Sequence, residues 1–230
     1  MFLAAVLVPL TPNTLAAGCQ DGRVRIIDLA AATVAAVLPE RHRERVTALV
    51  VLGEFVSSSG GELASASYDG AVRLWGGVGT AAAACTATLV GHTSAVLALA
   101  LLADRPDRQL ASGSSDRTVR LWDVASHTCV GILRAVGPLR TLAPLPDGRL
   151  AGATQYHHLC VWDTRPPPAA TSRRAVNAVP SVTWYGELGD ATNALLPLPD
   201  ATFITAPTDA DVSTLHRWQW QGAWEAGVAP

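Results

Sequence analysis

The sequence predicts an all-β chain of about five four-stranded sheets stacked side by side around an axis, and three observations carry that prediction. A twelve-residue interval ending on a large apolar residue recurs as Leu15 to Ile27, Leu63 to Trp75, Leu110 to Trp122 and Leu150 to Trp162, with a longer version from Phe203 to Trp218. Six residues before the end of that interval stands an aspartate in three units, Asp21, Asp69 and Asp116; Tyr156 takes the place in the fourth, and Asp209 and Asp211 crowd the fifth. Each interval follows an apolar pair three apart: Leu7 and Leu10, Leu49 and Leu52, Leu99 and Leu102, Leu142 and Leu145, Leu195 and Leu198. A period near 40–50 residues that fills a chain is the mark of a repeat architecture.

Within a unit the elements read as strands. LVPL, LAPL and LLPL are apolar runs, and turn chemistry such as the PDGR of 146–149 follows them. LASGS at 110–114 and its counterparts form the next strand, and SDRT at 115–118 or QDGR at 20–23 turns the chain. VRII at 24–27 and VRLW at 119–122 are β-prone third strands, and TCVGIL at 128–133 is a weaker fourth. A four-stranded sheet cannot bury both faces alone, and radial stacking solves this. The expected organisation is a single domain over 1–230 with units of about 1–38, 39–88, 89–134, 135–176 and 177–230.

The 230 residues are 49% hydrophobic and 16% charged, a globular balance, and the net charge of -2 gives no broad basic field for a phosphate backbone. Nucleic acid is therefore not an expected partner. Arg41, Arg43 and Arg45 cluster, but Glu40 and Glu44 dilute them. The opening MFLAAVLVPL lacks a basic leader segment and fits the repeat, and no run of 18 apolar residues exists, so no membrane partner is expected. Cys19, Cys85, Cys129 and Cys160 form no CxxC pair, which predicts buried free thiols in a reducing compartment. No cofactor is expected. Nor is a metal site: the adjacent His157 and His158 have no acidic or third ligand near them in sequence.

GHTSAVLALALL, LASGSSDRTVRLWD and CVWDT resemble the WD-repeat family of β-propellers. The likeness spans nearly the whole chain, strongest in units two and three and weakest in five. It implies that a histidine, a serine, the turn aspartate and the tryptophan form a hydrogen-bonded set inside each blade: His92, Ser112, Asp116 and Trp122 in unit three, His42, Ser65, Asp69 and Trp75 in unit two. Unit four has Ala135, Gly152 and Tyr156 at the polar places, so packing must hold it. Ser, His and Asp are also the residue types of a hydrolase triad. The set occurs twice at matching offsets, however, whereas an active site is built once, so the reading is internal scaffold and not an enzyme.

Function is then expected on rims and in the central channel. Gln20, Tyr68, Ser115, Gln155 and Tyr156 adjoin the tight turns, on the rim that the family resemblance implies grips peptides, with Tyr68 and Tyr156 as anchors. Arg165 in CVWDTR makes a WDxR element, which resembles the motif by which WD-repeat receptors dock on the adaptor of a cullin–RING ubiquitin ligase. The leading expectation is an interaction scaffold or adaptor, cytoplasmic or nuclear; the alternative is a ubiquitin ligase substrate receptor acting through Arg165. GEFVSSSGGE at 53–62 reads as a mobile polar loop and RPPPAATSRR at 165–174 as an extended one. Trp184, Tyr185, Trp220 and Trp224 are expected to cover an open edge or a neighbour, Trp218 to fill a blade position. Five units are fewer than the seven usual in the family, and the ring is expected to be incomplete or open.

Overall fold

The computed structural model describes residues 3–53, 55, 60–102, 108–156 and 158–164, together with four later strands between 182 and 219. Among the described residues the fold is all β, and the strands form five antiparallel sheets in chain order. The first sheet is β1 (Ala4–Thr11), β2 (Thr14–Cys19), β3 (Val24–Asp28) and β4 (Thr33–Val37). The second is β5 (Val46–Val51), β6 (Gly61–Ser67), β7 (Val72–Val78) and β8 (Ala84–Leu89). The third is β9 (Val96–Leu102), β10 (Gln109–Ser114), β11 (Thr118–Asp123) and β12 (Thr128–Arg134). The fourth is β13 (Leu139–Pro144), β14 (Leu150–Thr154), β15 (His158–Trp162) and β16 (Val182–Glu187). The fifth has three strands, β17 (Thr192–Pro197), β18 (Thr202–Pro207) and β19 (His216–Gln219).

The twelve-residue interval is a cross-strand register. Leu15 lies opposite Ile27, Leu63 opposite Trp75, Leu110 opposite Trp122, Leu150 opposite Trp162 and Phe203 opposite Trp218. The longer fifth interval keeps the same pairing, because the extra residues lie between the strands and leave the register alone. One expected boundary moves: β16 at Val182–Glu187 pairs with β15 and so belongs to the fourth sheet, not to a unit starting at 177. The long 165–174 segment hides this connection from any argument based on spacing. Trp184 and Tyr185, expected to cover an edge, lie on β16 opposite Val161 and Cys160.

Successive sheets pack through their inner strands, β1 on β5, β5 on β9, β9 on β13 and β13 on β17. Because side chains alternate between faces, the second, third and fourth sheets each meet a different neighbour on each side. Ala16, Val24, Ile26 and Leu38 of the first sheet bury against Val46, Leu63 and Trp75 of the second. Ala64, Ala66, Val72 and Leu74 then meet Val96, Leu110 and Trp122 of the third. Ala98, Ala100, Leu102 and Leu121 meet Leu139, Leu150 and Trp162 of the fourth. Trp75, Trp122 and Trp162 each face the preceding sheet.

That rule exposes the open side of the arc. Leu7 of β1 has the register place of Leu99 but is 57% exposed, and Leu15 and Ile27 are only half-buried where Leu63, Leu110 and Leu150 are 0% exposed. Among the described residues no sheet covers this face of β1–β4.

The turn after each second strand is held by its aspartate. Asp21, Asp69 and Asp116 each accept the backbone N–H two residues on, from Arg23, Ala71 and Thr118. The residue in between is left-handed: Gly22 at φ 79, Gly70 at φ 83 and Arg117 at φ 66. Gly22 is the most constrained of the three. A Cβ there would collide with the backbone carbonyl of His42 and lie 2.9 Å from that of Glu44, whereas at Gly70 the nearest atom is Ser94 O at 3.3 Å. Gly22→Ala is expected to cost about 2–3 kcal/mol and Gly70→Ala about 1 kcal/mol, from left-handed strain with and without a backbone collision. Thermal melts of the two variants check this; equal losses would refute the ranking.

The cysteine expectation needs correcting. All four are free, but only Cys19 and Cys160 are buried; Cys85 is half-buried and Cys129 exposed. Both of these lie on fourth strands, β8 and β12, at the outer edge of a sheet, where one side has no strand to cover it. Burial pushes the Cys160 thiol up from its ordinary value.

Candidate functional site

The serine–histidine–aspartate groups are interior. In the third sheet His92 Nε2 lies 2.8 Å from Ser112 Oγ, His92 Nδ1 lies 2.8 Å from Asp116 Oδ2, and Trp122 Nε1 donates to Ser112 Oγ at 2.8 Å. Trp122 N–H can only donate, which leaves the serine hydroxyl proton for the histidine and a proton on Nδ1 for the aspartate. That neutral tautomer matches every donor to an acceptor. Burial pushes His92 below its ordinary value, outweighing the attraction of Asp116. Burial alone would raise Asp116, but bonds from Thr118 and His92 and from the Thr93 amide reverse this and hold it below the usual carboxylate range. Thr118, whose hydroxyl donates to Asp116 Oδ1 at 2.6 Å, is a member the sequence reading lacked.

The second sheet repeats the arrangement. His42 Nε2 is 2.7 Å from Ser65 Oγ, His42 Nδ1 is 3.3 Å from Asp69 Oδ2, and Trp75 Nε1 donates to Ser65 at 2.8 Å. Burial opposes the charge on Asp69, yet His42 and the amides of Ala71 and Arg43 hold its pKa well below the usual range. Ser65 and Ser112 are fully buried and already bonded on both sides, so neither offers an attacking oxygen. A second serine pair, also unread from the sequence, locks each turn: Ser67 and Ser114 donate to the carbonyls of Glu44 and Ser94 and accept from the amides of Asp69 and Asp116. The S-x-D spacing in ASYD and GSSD was its signal.

The other units keep the position and change the chemistry. In the first sheet Asp21 takes two bonds from Arg25, at 2.9 and 2.6 Å, and the guanidinium lowers its carboxyl to about 2. In the fourth sheet the polar set is absent: Trp162 Nε1 donates to Arg134 O at 3.0 Å, and the ring presses on Gly152, where a Cβ would lie 2.9 Å from Trp162 Cζ3.

The residues beside the turns behave differently. Gln20, Tyr68, Ser115 and Gln155 share one register place, and their amides donate to Leu3, Arg45, Ala95 and Pro138, each just before its sheet's first strand, at 3.0, 3.1, 2.9 and 2.7 Å. This bond ties turn to inner strand in four successive sheets. As a result the four side chains converge on one cavity of about 380 Å³ at the mouth of the axis, joined by Arg45, Thr47, Leu97 and Arg140. Arg45 lies over the Tyr68 ring, 4.3 Å from its centroid, and Tyr68 is 48% exposed. Tyr156, 54% exposed, does not line this cavity and sits against Gly137 instead, so the structure separates the two expected anchors. Arg165 and His157 lie outside the described residues. Arg45, set aside in the sequence reading as one of a cluster diluted by glutamates, and Arg140, not named there, each lie within one residue of an inner strand's first residue. Among the described residues no three His, Cys, Asp or Glu side chains are placed to hold a metal ion, and no helix is long and apolar enough to cross a membrane.

The family model for the WD domain, G-beta repeat, matches residues 36–76 and 83–123, which carry the two hydrogen-bonded sets. These two segments of the chain are WD repeats. The sheets of the chain also match a chain in the crystal structure of the mitotic checkpoint complex, with a TM-score of 0.70 and 23% identity over 90% of this chain and 58% of that one. That likeness establishes the propeller fold alone. Among curated WD-repeat relatives, vegetative incompatibility protein HET-E-1 of Podospora anserina is 53% identical over 45 residues, 20% of this chain and 3% of that protein. Mitochondrial division protein 1 of Neurospora crassa is 37% identical over 84 residues, 36% of this chain and 11% of that protein. The Notchless protein homolog of Arabidopsis thaliana is 50% identical over 44 residues, 19% of this chain and 9% of that protein. The chain spans at most about a tenth of the length of these relatives, and what they share with it is the repeat.

Proposed function

We propose that this WD-repeat chain is a non-enzymatic scaffold or adaptor, working in the cytoplasm or nucleus, that holds partner proteins at the mouth of its axis. The observation behind this reading is the convergence of Gln20, Tyr68, Ser115 and Gln155 on one cavity from equivalent places in four sheets. Side chains with an apolar body and a polar tip suit protein contacts. The alternative polar groups, the serine–histidine–aspartate sets, are sealed inside the sheets and fully occupied by one another, which argues against acyl transfer. The relatives carry unlike names, from mitochondrial division to vegetative incompatibility, so the repeat supports an interaction role without assigning a process.

Tyr68→Ala combined with Gln155→Ala is expected to abolish partner capture in an affinity purification read by mass spectrometry, with the melting temperature within about 2 °C of the parent. Both side chains are outside the core. An unchanged set of captured proteins would refute this surface.

A further inference from the structure

The first sheet leaves open the face that the second, third and fourth sheets bury. Cross-strand pairing sets Leu7, Ala17, Arg25 and Val37 in one row across that face. Leu15, Ile27 and Val34 form the next row. Ala17 holds the place of Ser65 and Ser112, and Ile27 that of Trp75 and Trp122. The serine and indole of those sheets are bonded to each other, whereas alanine and isoleucine need only apolar cover.

The outer strands of this face stand in solvent. Leu7 is 57% exposed, Val37 44% and Val34 41%, with Leu15 and Ile27 half-buried between them. The one cation of the rows, Arg25, donates to Asp21 twice, at 2.9 and 2.6 Å, so covering the face buries no net charge. A contiguous apolar face of this kind marks an interaction surface. Its occupant is another sheet face, because the same face lies on a neighbouring sheet in the second, third and fourth sheets.

We infer that two copies of this chain pair through this face, the first sheet of one packed on the first sheet of the other about a twofold axis. The pairing is independent of the proposed role of the mouth. The fifth sheet is a poorer match, because it sets Arg217 opposite Ile204 at the place that Leu74, Leu121 and Val161 hold in the second, third and fourth sheets. A cationic residue there finds no carboxylate in the two rows of the first sheet. The first sheet's face matches itself, apolar on apolar, and a twofold contact uses one patch twice. Four strands about 4.8 Å apart and roughly 20 Å long give about 400 Å² per copy, against about 800 Å² in a standard interface. The dimer is therefore reversible, with a Kd in the micromolar range.

The test is sedimentation velocity of the full chain from about 1 to about 200 µM, with amide hydrogen exchange at both ends of that range. A monomer that passes to a dimer and no further is expected, with added protection confined to β1–β4. Leu7→Glu and Val37→Glu should each weaken the dimer about 10-fold or more, and Leu7→Ala about 3-fold. All three changes fall at exposed places, so melting temperatures of the dilute variants should stay within about 2 °C of the parent and separate lost pairing from lost fold. A parent that stays monomeric throughout would overturn the inference. So would a dimer indifferent to Leu7 and Val37, which would put the contact on another face. Species that grow beyond the dimer, with protection reaching β17–β19, would replace the twofold pair by head-to-tail stacking of first on fifth sheets.

Discussion

Trp75→Ala is expected to lower the stability of the chain by about 3–5 kcal/mol, the range for truncating a large buried aromatic. The ring is 1% exposed and belongs to the cluster formed with Ala16, Val24, Ile26 and Leu38 of the preceding sheet, so its removal opens a cavity between two sheets and not merely inside one. The indole N–H bonded to Ser65 Oγ is lost as well, leaving that buried oxygen short of a donor. At roughly 2–4 °C per kcal/mol for a chain of this size, the melting temperature should fall by about 10 °C. Trp75→Phe restores most of the volume without the donor and should cost about 1–2 kcal/mol. The pair of variants separates the packing contribution from the hydrogen bond in one thermal-melt experiment. A loss under about 1 kcal/mol for the alanine variant would mean that the sheets do not depend on this interface.

The reason a single tryptophan matters so much is also the reason the fold was legible. Leu63 and Trp75 are direct cross-strand partners facing one neighbour, so their interval is fixed by strand length and turn length together. A unit that packs on the unit before it in this way needs the same interval, and the sequence carries it four times, with a longer version in the fifth unit. The hydrogen-bonded sets were legible only through the resemblance to the WD-repeat family, which places their members at fixed positions beside that pair. What the sequence concealed lies at places with no such constraint. Arg45 and Arg140 line the mouth, where solvent or a partner accepts any residue; their counterparts in other sheets differ, Ala5 and Leu97 among them, and no repeat betrays them. The fourth strand of the fourth sheet was misassigned because the chain between β15 and β16 is long, so the spacing of the other units does not carry over to it. Cys129 was misjudged by composition, because residue type predicts average burial and not the exposed edge of β12.

Acid should unfold the chain in two stages, and the first belongs to His92. Its folded pKa lies below the ordinary value of about 6.5, because burial of the imidazole opposes the charged form by more than the Asp116 carboxylate favours it. As pH falls below about 6.5 the unfolded histidine takes up a proton that the folded one refuses, so stability declines until the folded pKa is passed. The limiting slope for one such group is about 1.4 kcal/mol per pH unit. The second stage belongs to Asp69 and Asp116, whose folded carboxyls are depressed; their contribution is complete above the unfolded value of about 3.9 and is lost as pH falls through the folded ones. His92→Gln should therefore flatten the decline between pH 7 and about 5 while lowering stability at pH 7. Asp116→Asn should cost about 2 kcal/mol at pH 7, since one amide oxygen cannot replace two carboxylate oxygens that accept from Thr118 on one side and from Thr93 and His92 on the other. It should also make the fall below pH 4 shallower. Melting temperatures of the three proteins across this range decide the matter: a His92→Gln profile parallel to the parent's would show that the histidine does not change its proton affinity on folding, and the neutral donor chain from tryptophan to aspartate would be wrong.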